Sequence, residues 1–345
     1  MQQTGAEPLK LMGAPGSPYT RKMLSLLRYR RVPYAMLWGG HQAPPEGLPA
    51  PKVKLLPTFY FPTDGGGVEA VVDSTPIVRR LEALYGGRSV IPADPALAFL
   101  NELIEDYADE WLTKPMFHYR WHFEADRDNA APLLVYWSRP TLPEDEARRM
   151  ADMFSKRQTE RLYVVGSNAV TAPAIEASYL RFIDILDALL QHRGYVLGAR
   201  PCSADFAIFG QLSQLAIVEP TSAELTRKHS PRVRAWLDRV EDLSGLEPAD
   251  ADWFSREDAG AFVRPLLQEI GRVYLPFLKA NATAAAAGKP AFETDIDGRP
   301  WEQPTFPYQA KCLRNLEEAG RALNGPAREA LHELMSGTGC EALLE

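Results

Sequence analysis

Cysteine is scarce in this chain: Cys202, Cys312 and Cys340 are the three in 345 residues. An odd, widely spaced set is no disulfide framework, and no CxxC pair offers a zinc site, so the three read as reduced thiols. Long apolar runs are lacking too. None approaches the ~18–20 residues needed to span a bilayer, and the polar start "MQQTGAEPLK" has no apolar core of a signal peptide. A soluble, cytoplasmic protein without a membrane partner is expected. Excess positive charge is missing as well: 38 Lys and Arg face 45 Asp and Glu, a net charge of −7. That balance argues against nucleic acid as a partner, and "RYRR" at 28–31 reads as the solvated end of a helix. No GxSxG, P-loop or GxGxxG motif occurs, which removes the usual signatures of hydrolases, NTPases and dinucleotide enzymes. His118 and His122 are four apart, but no carboxylate stands at the zincin position and Pro115 lies close by, so no metal is expected.

What is present divides into three regions. Over 1–95, "LKLMGA", "VPYAMLW", "LLPTFYF" and "VEAVVDS" carry strand signals, with Asp64-Gly65 as a hairpin turn. Met23, Leu24, Leu27 and Val32 recur at helical spacing after "PGSP", and "TPIVRRLEALYGG" closes the unit as a helix ending in glycines. The order strand, helix, strand, long loop, hairpin, helix predicts an α/β unit with a mixed sheet. Over 96–245 the strand signals vanish. "ALAFLNELIEDYADEWL" puts Leu100, Leu103, Ile104, Tyr107 and Trp111 on one face, with Glu102, Glu105, Asp106, Asp109 and Glu110 largely elsewhere. "TLPEDEARRMADMFSKRQTERLYVV" and "PAIEASYLRFIDILDALLQ" are further amphipathic helices, and Ser230-Pro231 starts another. "SADFAIFGQLSQLAIV" is apolar nearly all round and reads as a buried central helix. Region 246–345 is mostly helical, interrupted by "ATAAAAG" and an extended stretch, "KPAFETDIDGRPWEQPTFPYQ".

Chemistry concentrates at "PGSPYTRKMLSLL", residues 15–27. The local reading is a helix start, with Ser17 as N-cap and Pro18 as the first helical residue. The same geometry has a second use. A helix N-terminus offers free N–H groups and the positive end of a dipole, so a hydroxyl there stands where an anion is stabilised. Ser17 can donate to a thiolate brought by a ligand, but it is no redox thiol itself. Asp73-Ser74 reads locally as the cap of the next helix, and Pro57 as an edge or bulge proline.

Four motifs carry a resemblance. In "GSPYTRK", Ser17 and Thr20 occupy the places of the two cysteines of a glutaredoxin-type Cys-Pro-Tyr-Cys loop. Leu56-Pro57 matches a strand-start proline, "VDSTPIVRRLEALYG" an acidic-Ser-x-x-Ile segment, and "GYVLGARPCSADFAIFG" a capped central helix with Asp205 three residues after the cap. In that order they resemble the glutathione transferase family, the serine-type tau class among them, with a thioredoxin-like domain followed by an all-helical one. Cys202 stands at the cap position, where Ser203 is the expected substitute.

The resemblance implies glutathione as co-substrate and a hydrophobic electrophile as second substrate. Ser17 would stabilise the thiolate. Tyr19 would belong to the glutathione site, as would Leu56 with the cis Pro57 at the cysteinyl part and Asp73 and Ser74 at the γ-glutamyl end. Lys54, with Lys52 and His41 as further candidates, would meet the glycyl carboxylate. Tyr107, Trp111 and His118 would line the electrophile pocket, although the spacing of the first two is also core spacing. A homodimer is implied, with the hairpin and last helix of the first domain facing the partner. The rival function is a non-catalytic ligand-binding or scaffolding protein on the same fold, with 246–345 as either a cover over the cleft or added packing.

Overall fold

A computed structural model describes residues 7–39 and 44–344 of the chain. The first unit runs β1 (Leu9–Gly13), α1 (Pro18–Tyr29), β2 (Tyr34–Trp38), β3 (Thr58–Pro62), β4 (Val68–Val71) and α2 (Ser74–Leu84). Its sheet has the order β2-β1-β3-β4, parallel between β1 and β2 and antiparallel elsewhere. A parallel pair needs a crossover, and α1 supplies it. Leu11, Phe59, Met23, Leu27, Ile77 and Leu81 are fully buried between sheet and helices.

The helical domain follows: α3 (Pro95–Glu110), α4 (Thr113–His122), α5 (Glu124–Ser138), α6 (Glu144–Thr159), α7 (Ala172–Arg193), α8 (Ser203–Leu215), α9 (Pro220–His229) and α10 (Pro231–Val240). Every residue of α8 is buried, as its all-round apolar sequence requires. It packs on α1 because Gly210 lets the backbones approach. A Cβ there would lie 2.5 Å from the Pro18 carbonyl oxygen and 3.0 Å from Lys22 Cβ. Asp205 holds the start of α8 by accepting from the Cys202 and Val196 N–H groups, both at 2.9 Å. Ser203 does not serve as the cap. Its hydroxyl donates to Glu105 Oε2 at 2.6 Å, so Cys202 keeps the cap position with Asp205 in support.

The last hundred residues form α11 (Arg256–Phe262), α12 (Arg264–Glu269), a π turn at Ile270–Tyr274, α13 (Leu275–Ala286), β5 (Ala291–Ile296), β6 (Arg299–Pro304), α14 (Pro307–Ala322) and α15 (Gly325–Met335). The stretch that reads as extended in sequence is a β-hairpin, turned by Asp297 and Gly298 at φ 54° and 68°. This region lies on α3 and α7. Arg181 of α7 forks onto Glu269 of α12 with two bonds of 2.9 Å, and Arg256 of α11 pairs with Asp94 at 2.8 Å. One apolar core runs through all three regions. Packed on both sides, α3 has little free face. The sequence places its acids largely on a solvated side, yet Glu105 is 0% and Asp109 6% exposed. No helix among the described residues is long and apolar enough to cross a membrane.

Candidate active site

The loop Ala14–Ser17 ends β1 and starts α1. Ser17 has extended backbone (φ −93°, ψ 116°), and its Oγ accepts from the Thr20 N–H at 3.2 Å. The cap therefore forms, and among the described residues the hydroxyl hydrogen has no partner. Thr20, in the place of a second redox cysteine, is fully buried, and its Oγ1 accepts from the Ala14 N–H at 3.3 Å. It holds the loop rather than facing a ligand. Arg120 holds the loop from the other side, with Nη1 donating to the Gly16 carbonyl at 2.9 Å and Nε to Glu219 at 2.6 Å. A side chain at Gly16 would collide with Leu134 and Trp137 of α5. Those two pack against Gly16, the residue before Ser17.

The peptide bond before Pro57 is cis, as the motif implies. Pro57 is buried while Leu56 is half-buried, and Leu56's own N–H and C=O find no partner among the described residues. Lys52 and Lys54 are exposed, and neither has an ion pair among the described residues; His41 lies outside them. At the start of α2, Asp73 adopts φ 81° and makes no capping bond to its own helix. The first-turn N–H groups of α2 thus stay available to an anion. Local capping does not explain this acid.

Ser74 is buried and accepts from Lys22 Nζ at 3.1 Å. Lys22, itself fully buried, also pairs with Glu105 at 2.8 Å and Asp109 at 2.6 Å. Burial works against the ammonium, but the charges of Asp109 and Glu105 hold its pKa above the ordinary value. Burial also pushes Asp109 up, to about 6, with Lys22 opposing. The network joins α1, α2 and α3, so the two helix starts of the site are locked together across the domain boundary. A lysine among leucines on α1 was its sequence signal, visible only once α3 supplies the acids.

Other expected site residues sit elsewhere. Tyr19 gives its hydroxyl to the Asp109 carbonyl at 2.8 Å, a bond between domains rather than a contact offered to a ligand. Tyr107 and Trp111 are 0% exposed, packed on Tyr274, Phe277 and Trp301 of the C-terminal region, with Trp111–Trp301 ring centres 5.4 Å apart. His118 is likewise 0% exposed, with Nδ1 2.8 Å from Ser167 Oγ and its ring stacked on His122. These three belong to the core. Leu134 and Trp137, which close on Gly16 next to Ser17, come from a helix whose internal Pro132 and weak periodicity hide it in sequence. No cluster of three or more potential metal ligands occurs among the described residues.

The sheet order β2-β1-β3-β4, with α1 crossing between its parallel pair, is the thioredoxin-like arrangement that the resemblance implies. The family models agree: residues 11–89 match the glutathione S-transferase N-terminal domain and 145–239 the glutathione S-transferase C-terminal domain, together about half of the chain. The chain belongs to the glutathione transferase family of enzymes.

Solved structures similar to it include a tau-class glutathione S-transferase from mango, Mangifera indica (18% identity, 71% of this chain and 94% of that one, TM-score 0.43). A Pseudomonas fluorescens family member with two glutathione bound is 17% identical over 70% of this chain and 89% of that one, TM-score 0.42. Another from the same organism, with bound S-(propanoic acid)-glutathione, is 22% identical over 70% and 100%, TM-score 0.31. No curated protein sequence matches the chain.

Proposed function

We propose that the protein is a glutathione-dependent transferase in which Ser17 stabilises the glutathione thiolate for attack on a hydrophobic electrophile. The observation that carries this is Ser17 itself: its oxygen is spent on the cap and its hydrogen is left to donate at a helix N-terminus. Glutathione supplies the nucleophilic sulfur. Ser17 donates to it, and the N-terminus of α1 adds positive potential. Leu56 offers its unpaired backbone groups to the cysteinyl unit, Lys54 its ammonium to the glycyl carboxylate, and Asp73 its carboxylate to the γ-glutamyl ammonium. The first turn of α2, with Ser74, takes the γ-glutamyl carboxylate. Leu134 and Trp137 meet the apolar part of the electrophile. Three free thiols suit a reducing compartment, the cytoplasm by this reading.

The test is calorimetry with glutathione beside the near-ultraviolet thiolate signal of the complex, on wild type and Ser17→Ala. A free thiol titrates near ~8.5, and a depression of roughly two units leaves most of it ionised at pH 7. Ser17→Ala is expected to raise the bound thiol's pKa by about one unit and cut turnover about 10-fold, because a hydrogen bond to a charged group is worth ~1.5–3 kcal/mol. Affinity should change far less. No binding to wild type at millimolar glutathione would overturn the reading and leave the non-catalytic rival.

We further propose a homodimer built on the β3–β4 hairpin and α2. Val68 of β4 and Leu84 of α2, 43% and 58% exposed, lie on those elements and remain uncovered by the C-terminal region. Sedimentation should give a mass near twice 38.4 kDa, and Leu84→Glu should lower it. A wild-type monomer at micromolar concentration would contradict the arrangement.

A further inference from the structure

Asp73 is turned away from its own helix, and one residue of the C-terminal region receives it. Tyr308, second residue of α14, donates its hydroxyl to Asp73 Oδ2 at 3.2 Å. The other carboxylate oxygen has no partner among the described residues. We propose that Tyr308 is a positioning residue of the γ-glutamyl subsite, acting through Asp73 on the ammonium of a γ-glutamyl peptide. The inference rests on the glutathione reading above and adds the residue that completes its γ-glutamyl end.

Tyr308 is held in place on both sides. Before it, fully buried Asn281 clamps Phe306, donating from Nδ2 to the Phe306 carbonyl and accepting from its N–H, both at 2.9 Å. Pro307 then fixes the first turn of α14. After it, Gln309 Nε2 donates to Glu110 Oε2 at 3.4 Å. A phenol presented this way stays put, while its 49% exposure leaves the ring open to the space in front of Asp73. Partial burial of its hydroxyl, and then the nearby acids, push its pKa up, so it remains a neutral donor. Glu110, the other acid facing it, is pushed up to about 8 by burial and by Asp106 and Asp109.

The physical effect is one of orientation. Asp73 stands at a positive φ that non-glycine residues rarely adopt, and its carboxylate has no helix N–H to fix it. A hydrogen bond from a rigid phenol to one oxygen sets the carboxylate plane and leaves the second oxygen directed to a ligand. A substituted ammonium brings up to three N–H donors and needs such an acceptor. The C-terminal region thereby contributes to recognition without touching the sulfur, which distinguishes Tyr308 from Ser17.

The experiment is calorimetric titration of full-length wild type and Tyr308→Phe with two peptides: glutathione, and glutaryl-cysteinylglycine, the same tripeptide without the α-amino group. Tyr308→Phe is expected to weaken glutathione roughly 3–10-fold, leave the desamino peptide unchanged, and leave the thiolate signal of the glutathione complex unchanged. In Asp73→Asn the same replacement should lose most of its effect. An equal loss for both peptides would reduce Tyr308 to packing and overturn the proposal. Unchanged affinity for both would overturn it too, as would tighter binding by Tyr308→Ala, which would make the ring an obstruction. In each of those outcomes wild type still binds glutathione, so the transferase reading survives. Failure of wild type to bind glutathione is the separate result that removes both.

Discussion

Lys22→Met is expected to destabilise the protein by about 3–5 kcal/mol at pH 8, because it removes one partner of a buried ionic cluster and leaves the others without compensation. Glu105 would keep Ser203 and Thr75 as donors, at 2.6 and 3.2 Å. Asp109 would keep none among its side-chain contacts: Oδ2 loses its bond to Lys22, and Oδ1 is buried without a partner already. The deficit should therefore depend on pH, with a definite sign. Burial raises Asp109 to about 6 even with the lysine present, while for Glu105 burial is outweighed by Lys22 and Arg79, which hold it below its ordinary value; without the lysine both acids must rise. A carboxyl whose folded pKa lies above its unfolded value binds more protons folded than unfolded. Its contribution to stability then falls as pH rises through that window. Urea melts should show the largest gap between variant and wild type near pH 8 and a clearly smaller one near pH 5. Adding Asp109→Asn should recover part of the loss at pH 8. A gap of equal size at both pH values would mean that the aliphatic stem of Lys22, not its charge, is what the core needs. The same variant frees Ser74 Oγ from its lysine donor, so glutathione affinity should drop with stability.

That cluster shows where sequence reading ends. The elements of the first unit were legible because each carries its own local signal: short runs of apolar β-formers in β1 and β3, Pro18 at a helix start, Asp64-Gly65 at a turn. The serine at α1 and the cis bond before Pro57 were legible through motifs of fixed spacing. The central helix was legible because no face of it is polar. The acids of α3 were misplaced for a physical reason. A helical face is judged from composition, and Glu105 and Asp109 become interior only because Lys22 of α1 arrives opposite them. Tyr107 and Trp111 carry core spacing, and core is what they are. No periodicity in α3 could say that Tyr274, Phe277 and Trp301, some 160–190 residues later, would cover them. The hairpin at β5–β6 had an Asp-Gly turn and alternation, Phe292, Thr294 and Ile296 against Glu293 and Asp295. Proline on both sides of Trp301 masked the second strand. Asp73 is the opposite case, where the sequence suggested an ordinary cap and the backbone, at φ 81°, releases the side chain for another use.

Removing residues 246–345 should abolish folding of the remainder, and this expectation separates an integral third layer from an added cover. The chain cut at 245 would uncover Tyr107 and Trp111, both 0% exposed in the whole protein. Buried aromatics of that size hide about 150–250 Å² each. Together with the faces of α3 and α7 around them, they would make an apolar patch beyond the few hundred Å² that monomers tolerate. Charge would be stranded as well. Glu269 gives Arg181 its fork, and Tyr274 gives Asp106 its donor at 2.5 Å. Lys114, pushed down to about 7 by burial, lies 3.8 Å from the centre of the Phe277 ring and donates to Gln303 at 3.1 Å. The truncated chain is expected in the insoluble fraction or, if soluble, to bind an apolar dye and lack a cooperative melt. Trp301→Ala in the full chain is the graded form, with a cost of about 3–5 kcal/mol. A truncated protein that melts cooperatively and binds glutathione as the full chain does would make the region a removable cover. The contacts argue against that, since Trp111 packs against three aromatic rings from beyond residue 245, and truncation would leave that face of the helical domain without its cover.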